Sequence, residues 1–190
     1  MKTIICSFVL LLSALSTNAQ CKIVLDEIDE FDSLRTIAIE PIQIGAIIPS
    51  QFETEDGPTF IPEGKLLVAY SQNDSINSFF LTFVVAEYNY QPIDKGFNVL
   101  LLLENEDVDA LYNVPDRGEF DKGTNMRIYQ HTTVLPLDYF YQLTRFNLDK
   151  VRINYKNQRK TITLSDEQKK AVQEAVRCIG EKAGLYPVKP

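Results

Sequence analysis

Residues 78–90 read Ser-Phe-Phe-Leu-Thr-Phe-Val-Val-Ala-Glu-Tyr-Asn-Tyr, and this stretch decides the fold class. Its aromatic and β-branched side chains are the types that fit a pleated surface. The apolar run is nearly continuous, the mark of a strand buried on both faces. Toward the N-terminus, 65–71 reads as a further strand. Residues 33–44 (SLRTIAIEPIQI) alternate in places through Ile37, Ile39 and then Ile42, Ile44. Pro41 lies inside that run and demotes it to an edge or a bend. Residues 22–31 (KIVLDEIDEF) supply the first strand. Between these and the centre, the stretch from Pro49 to Gly64 carries three Pro, two Gly and four acids, and reads as a loop.

Toward the C-terminus, 97–103 and 108–112 flank Glu104-Asn105-Glu106-Asp107, a hairpin tip. Residues 126–134 alternate Arg127, Tyr129, His131 and Thr133 against Ile128, Gln130, Thr132 and Val134. Residues 151–155 and 161–164 enclose a second tip at 156–159. Two stretches have helical period instead. Residues 137–146 begin after Pro136, an acceptable start for a helix. Residues 165–184 open with Ser165 and Gln168 in the spacing of a capping box. Val172, Ala175, Val176 and Ile179 then mark one core-facing stripe, with Gly180 or Gly184 available to end it.

Closely spaced strands without intervening helices predict antiparallel pairing. The expected class is mainly β, a β-rich α+β fold: an antiparallel sandwich or partly open barrel with one short helix and a C-terminal helix. No internal repeat or low-complexity tract divides residues 20–190, which are expected to form a single β-rich domain.

The N-terminal residues MKTIICSFVLLLSALSTNAQ carry Lys2, an apolar run from Ile4 to Leu15, and Thr17-Asn18-Ala19 as a small-x-small site. That is the signal-peptide pattern, with 1–19 removed. The run falls short of the roughly 20 apolar residues that span a bilayer, so no transmembrane span is expected after cleavage. The expected location is periplasmic or extracellular. Lipid attachment at Cys21 is the rival, disfavoured because Gln20 and Asn18 occupy positions where a lipoprotein site wants a small residue and Leu. Cleavage removes Cys6 and leaves Cys21 and Cys178. An even number of cysteines in an oxidising compartment predicts a Cys21–Cys178 disulfide. Ala171 and Ala175, at i−7 and i−3 from Cys178, would let another segment approach its sulfur.

The 190 residues hold 19 Lys plus Arg against 26 Asp plus Glu, a net charge of −7. That balance argues against nucleic-acid partners, which need clustered cations. A single His excludes metal motifs that need two. No GxSxG, SxxK, P-loop, GxGxxG or CxxC occurs, so no catalytic residue, metal site or cofactor is assigned. His131 is expected at the surface, on the polar side of its strand, and its truncation is expected to cost under about 1 kcal/mol. The acids at 26–32 and 104–109 are expected to be solvated charged turns, with calcium the alternative for the second set.

Asp26-Glu27-Ile28-Asp29-Glu30-Phe31 after a Cys, the Gly96–Asn105 hairpin arm, Arg152-Ile153 on a strand and Cys178-Ile179 on a helix together resemble uncharacterised exported proteins of Bacteroidota. Signal peptides in that group often end in Ala-Gln, as at 19–20. The resemblance implies export and a β-rich fold, and no particular activity. The function expected is a non-catalytic exported module of the cell envelope that binds an unknown envelope protein. The alternative is a β cavity for a small apolar or carbohydrate ligand, motivated by the 11 Phe and 9 Tyr.

Overall fold

The computed structural model describes residues 22–73 and 76–185. The segment 1–19, expected to be a signal peptide, and Cys21 lie outside them. Eleven strands and two helices follow in the order β1 (Ile23–Ile28), β2 (Arg35–Ile39), β3 (Ile42–Thr54), β4 (Gly57–Asn73), β5 (Ile76–Glu87), β6 (Gly96–Leu103), β7 (Val108–Pro115), β8 (Glu119–Asp121), β9 (Met126–Leu135), α1 (Leu137–Arg145), β10 (Leu148–Asn154), β11 (Arg159–Thr163) and α2 (Asp166–Lys182). The strands form one sheet in the order β1-β2-β4-β5-β9-β7-β6-β10-β11, with β3 on β4 and β8 on β9. Every described pairing is antiparallel, as the strand spacing predicted.

Two irregular edges shape the sheet. β2 and β3 both pair with β4, Ala38 opposite Ala69 and Ile42 opposite Leu66, so they run as one strand bent at Pro41. β7 and β8 likewise run along β9, interrupted at 116–118. There Asp116 Oδ1 accepts from Gly118 N at 2.9 Å. Such interruptions increase local twist and curl a sheet. The sheet rolls far enough that Ile162 of β11 stands against β3 and β4. A methyl group added at Gly45 would lie 2.7 Å from Ile162 Cγ2, and one at Gly64 3.1 Å from its Cδ1. Absence of a side chain at these two positions permits the approach.

The helices fill the inside of the roll. Ser165 caps α2, its hydroxyl accepting from Gln168 N while the Gln168 side chain reaches back. Val172, Ala175, Val176 and Ile179 join Ile37, Ile44, Leu66, Val151 and Ile162 in the core. Phe140 of α1 stacks on Phe79 at 4.0 Å. Burying side chains of this size contributes roughly 1.5–3 kcal/mol each.

The stretch expected as a loop, 49–64, is instead the far half of a long hairpin. β3 and β4 continue through Pro49 opposite Phe60 to a two-residue turn between Thr54 and Gly57. Its three prolines are tolerated because this arm has an open edge and register breaks at 44–47 and 49–53.

Candidate functional site

β9 places His131 on the inner face, with no solvent exposure, which corrects the expected surface position. The inner series is Tyr129, His131, Thr133 and Leu135, and all four are buried. The outer series carries Gln130, Thr132 and Val134. Both faces mix polar and apolar residues, so alternation alone held no signal for which one faces in.

The interior polar groups form a chain whose direction can be deduced from one end. Asn98 Nδ2 donates to the Asp94 carbonyl at 2.7 Å, which turns Asn98 Oδ1 toward Asn113. Asn113 Nδ2 donates to that oxygen at 2.8 Å and lies 3.2 Å from His131 Nδ1. An amide nitrogen only donates, so Nδ1 accepts and the proton of the neutral ring sits on Nε2. Nε2 meets the Tyr155 hydroxyl at 3.1 Å. Tyr155 thus accepts from His131, with the buried Glu87 carboxylate near it. Gln158 Nε2 donates to Glu87 Oε2 at 3.1 Å. Burial raises the Glu87 pKa, with Lys160 opposing the shift. It also raises the Tyr155 pKa, reinforced by the Glu87 charge. For His131 burial lowers the pKa to about 4, with Asp116 opposing.

This arrangement spends both ring nitrogens of His131 on protein partners. It ties β6, β7, β9 and the β10–β11 hairpin together at one end of the roll. The loop at 88–95 closes over the same end: Gln91 N donates to Tyr129 Oη at 2.6 Å, and Lys156 Nζ pairs with Asp94 at 2.7 Å. The Arg127 guanidinium lies over the Tyr90 ring at 5.3 Å.

The outer face of the sheet is a different surface. Phe97 pairs with Tyr112, and their rings meet edge to face at 5.4 Å. The β7–β9 register, Asn113 opposite Thr133, continues to set Tyr112 beside Val134. Val134 pairs with Phe80 and Phe80 with Ala69. A transverse apolar row therefore crosses five strands, where an ordinary solvated sheet face would alternate toward polar residues. Phe97 is 70% exposed and Val134 51%.

The remaining predicted residues fall elsewhere. Cys178 lies partly buried on α2, at the opposite end of the predicted bridge from Cys21, which is outside the described residues. Asp26 engages Arg35 at 3.1 Å, while Asp29 and Asp32 accept from the backbone of Phe31 and Leu34 in the β1–β2 turn. Glu104 accepts from Asn147 at 2.8 Å, and Asp107 from Asn105 at 2.6 Å. Among the described residues, no group of three His, Cys, Asp or Glu is placed to hold a metal ion. No described helix is long and apolar enough to cross a membrane.

No protein-family model, curated protein or solved structure matches this chain.

Proposed function

We propose that the chain is an exported, non-catalytic binding module that engages a protein of the cell envelope through the outer face of its sheet. One observation carries the reading: the exposed Phe97–Tyr112 pair continues into Val134 and Phe80 across paired strands. Contiguous exposed apolar surface of this kind marks interaction sites, and aromatic residues dominate interface energetics. The alternative, a ligand cavity inside the β roll, finds less support. Tyr70, Phe79, Phe83, Tyr129 and Phe140 are fully buried there, among the side chains of both helices.

Export and the Cys21–Cys178 bridge belong to the same proposal, as does kinship with exported Bacteroidota proteins. The bridge would pin the N-terminal segment to α2. In the chain-entropy model a loop of this length stabilises by about 5 kcal/mol.

A photoreactive phenylalanine at position 112, with a second at position 170 on α2 as the control, tests the partner surface in the native cell. A discrete adduct from position 112 alone, lost when Phe97→Ser is added, is the expected result. Equal labelling at both positions, or none at 112, overturns it. Intact mass of the native protein should show loss of residues 1–19 and two fewer hydrogens for the bridge. A full-length product, an added diacylglycerol or two free thiols would refute that part.

A further inference from the structure

Grooves on the sheet differ in charge. The groove lined by β4, β5, β9 and the β8–β9 turn holds Lys65 and Asp121 together, and so selects neither sign. A second groove, of about 210 Å³, lies on β6, β7, β10 and β11, where Leu100, Leu102, Val108, Lys150, Arg152 and Thr161 line it. No acidic residue does. The strand register explains this lining. Val108 lies opposite Leu102, Leu102 opposite Lys150, and Lys150 opposite Thr163. The next row on the same face is Ala110, Leu100, Arg152 and Thr161. Each row passes from apolar side chains on β7 and β6 to a cation on β10 and a hydroxyl on β11. Alternate residues of a strand share a face, so Ala110 and Tyr112 are neighbours and the groove continues the Phe97–Tyr112 pair.

The two cations of this groove are in different states. Lys150 Nζ has Asp149 at 3.6 Å, and its row adjoins the acidic hairpin tip at 104–107. Arg152 forms no ion pair among the described residues, and neither does Arg159, which shares the outward face of β11 with Thr161. The Arg152 Nε donates to Thr161 Oγ1 at 3.0 Å, its one side-chain hydrogen bond among the described residues. That bond orients the guanidinium and leaves both terminal nitrogens, the pair that grips a carboxylate through two parallel bonds.

We propose that the partner protein enters this groove with an acidic, apolar segment. One of its carboxylates pairs with the Arg152 terminal nitrogens, and a neighbouring apolar side chain lies between Leu100, Leu102 and Val108. The inference rests on the partner reading above and names the chemistry of the segment, which that reading leaves open. Charge sets the direction. The acids at 104–107 repel a carboxylate from the Lys150 end, so it belongs at the Arg152 end, with Arg159 beyond. Complementary charges placed in this way fix register and exclude wrong partners. An anionic bilayer is the poorer match, because its surface potential repels a chain of net charge −7. A flat surface also cannot enter a groove.

Panning a random heptapeptide library against the mature protein reads this preference without the native partner. Enriched peptides should carry Asp or Glu as a near neighbour of Leu, Ile or Phe. Binding of the enriched peptide should fall about 10-fold or more in Arg152→Gln, as for an Arg anchor, with the melt unchanged. Arg152→Lys keeps the charge but loses the fork, and should recover only part of the binding. Lys150→Gln should cost less than Arg152→Gln. Enrichment of basic or uncharged peptides, or no enrichment, overturns the proposal, as does undiminished binding by Arg152→Gln. Binding to phosphatidylglycerol vesicles that Arg152→Gln abolishes would overturn the choice of a protein segment. A discrete adduct from position 112 beside a failed library would sink the segment chemistry and leave the partner surface standing. An acidic consensus without any adduct at 112 would do the reverse.

Discussion

The side-chain amide of Gln168 pairs with both backbone groups of Gly45. Its Oε1 accepts from Gly45 N at 3.1 Å and its Nε2 donates to the Gly45 carbonyl at 2.9 Å. The same Oε1 accepts from Ser165 N at 3.0 Å. One residue thus caps α2 and fastens it to β3 across 123 residues of chain. It acts as a one-residue strand edge, matching a donor and an acceptor as a ladder partner would.

Gln168→Ala should therefore cost more than an ordinary cap. Three hydrogen bonds are lost and the Gly45 backbone groups are left partly buried, for about 2–3 kcal/mol. Gln168→Glu keeps the acceptor but turns an oxygen toward the Gly45 carbonyl, and should lose nearly as much. Urea denaturation of both variants checks this. A cost near 1 kcal/mol for Ala, the typical value of a cap alone, would show that the clamp on β3 contributes nothing.

His131→Ala should destabilise by about 3 kcal/mol, from the void and from the hydrogen bonds stripped from Asn113 and Tyr155. Gln130→Ala, on the neighbouring outward position, should stay within about 0.5 kcal/mol. Equal costs at the two positions would contradict the buried placement.

Stability should also fall on mild acidification, and His131 should be a main cause. Burial holds its folded pKa at about 4, below the roughly 6.5 of an unfolded chain. Its contribution is complete above about pH 6.5 and is eroded as the pH falls toward 4, by up to about 3 kcal/mol. Glu87 works in the other direction. Its pKa is raised by burial, so its protonation favours the fold and offsets part of the loss. Denaturation at pH 7.5 and pH 4.5 should show a drop in the native protein that is about 2 kcal/mol larger than in His131→Gln. Parallel curves for the two proteins would refute the assignment to this ring.

Gly118→Ala should be costly for two separate reasons. Its φ of +71° disfavours any side chain, and the added methyl would lie 2.5 Å from Tyr129 Cζ. Tyr129 cannot swing away without releasing Gln91 and the loop at 88–95. A loss of more than about 2 kcal/mol is expected, with faster proteolysis within 88–95. Gly123→Ala, whose methyl meets nothing closer than 3.6 Å, serves as the control and should lie within about 1 kcal/mol. A silent Gly118→Ala would mean that the Tyr129 ring is not held.

Local chemistry of the sequence determined the elements themselves. Residues 78–90 read as a buried strand because β-branched and aromatic side chains dominate them. Ser165 and Gln168 announced the start of α2 because a capping box is a contact within one turn. The turns at 104–107 and 156–159 were equally visible, being polar breaks between apolar runs. Tertiary structure alone decided three other things. Pro49, Pro58 and Pro62 looked like breakers because a proline withholds a donor, but in a hairpin arm with a free edge and two register breaks that donor is not required. The face of β9 that carries His131 read as the outer one and is the inner one, because Tyr129 and Thr133 are no less able to face water than Thr132 and Gln130. Only Asn113 on the neighbouring strand β7 and Tyr155, 24 residues away, make burial of His131 affordable. The groove lined by β4, β5, β9 and the β8–β9 turn lay beyond sequence reasoning for the same reason, since no local pattern records which strands a rolled sheet will set beside one another.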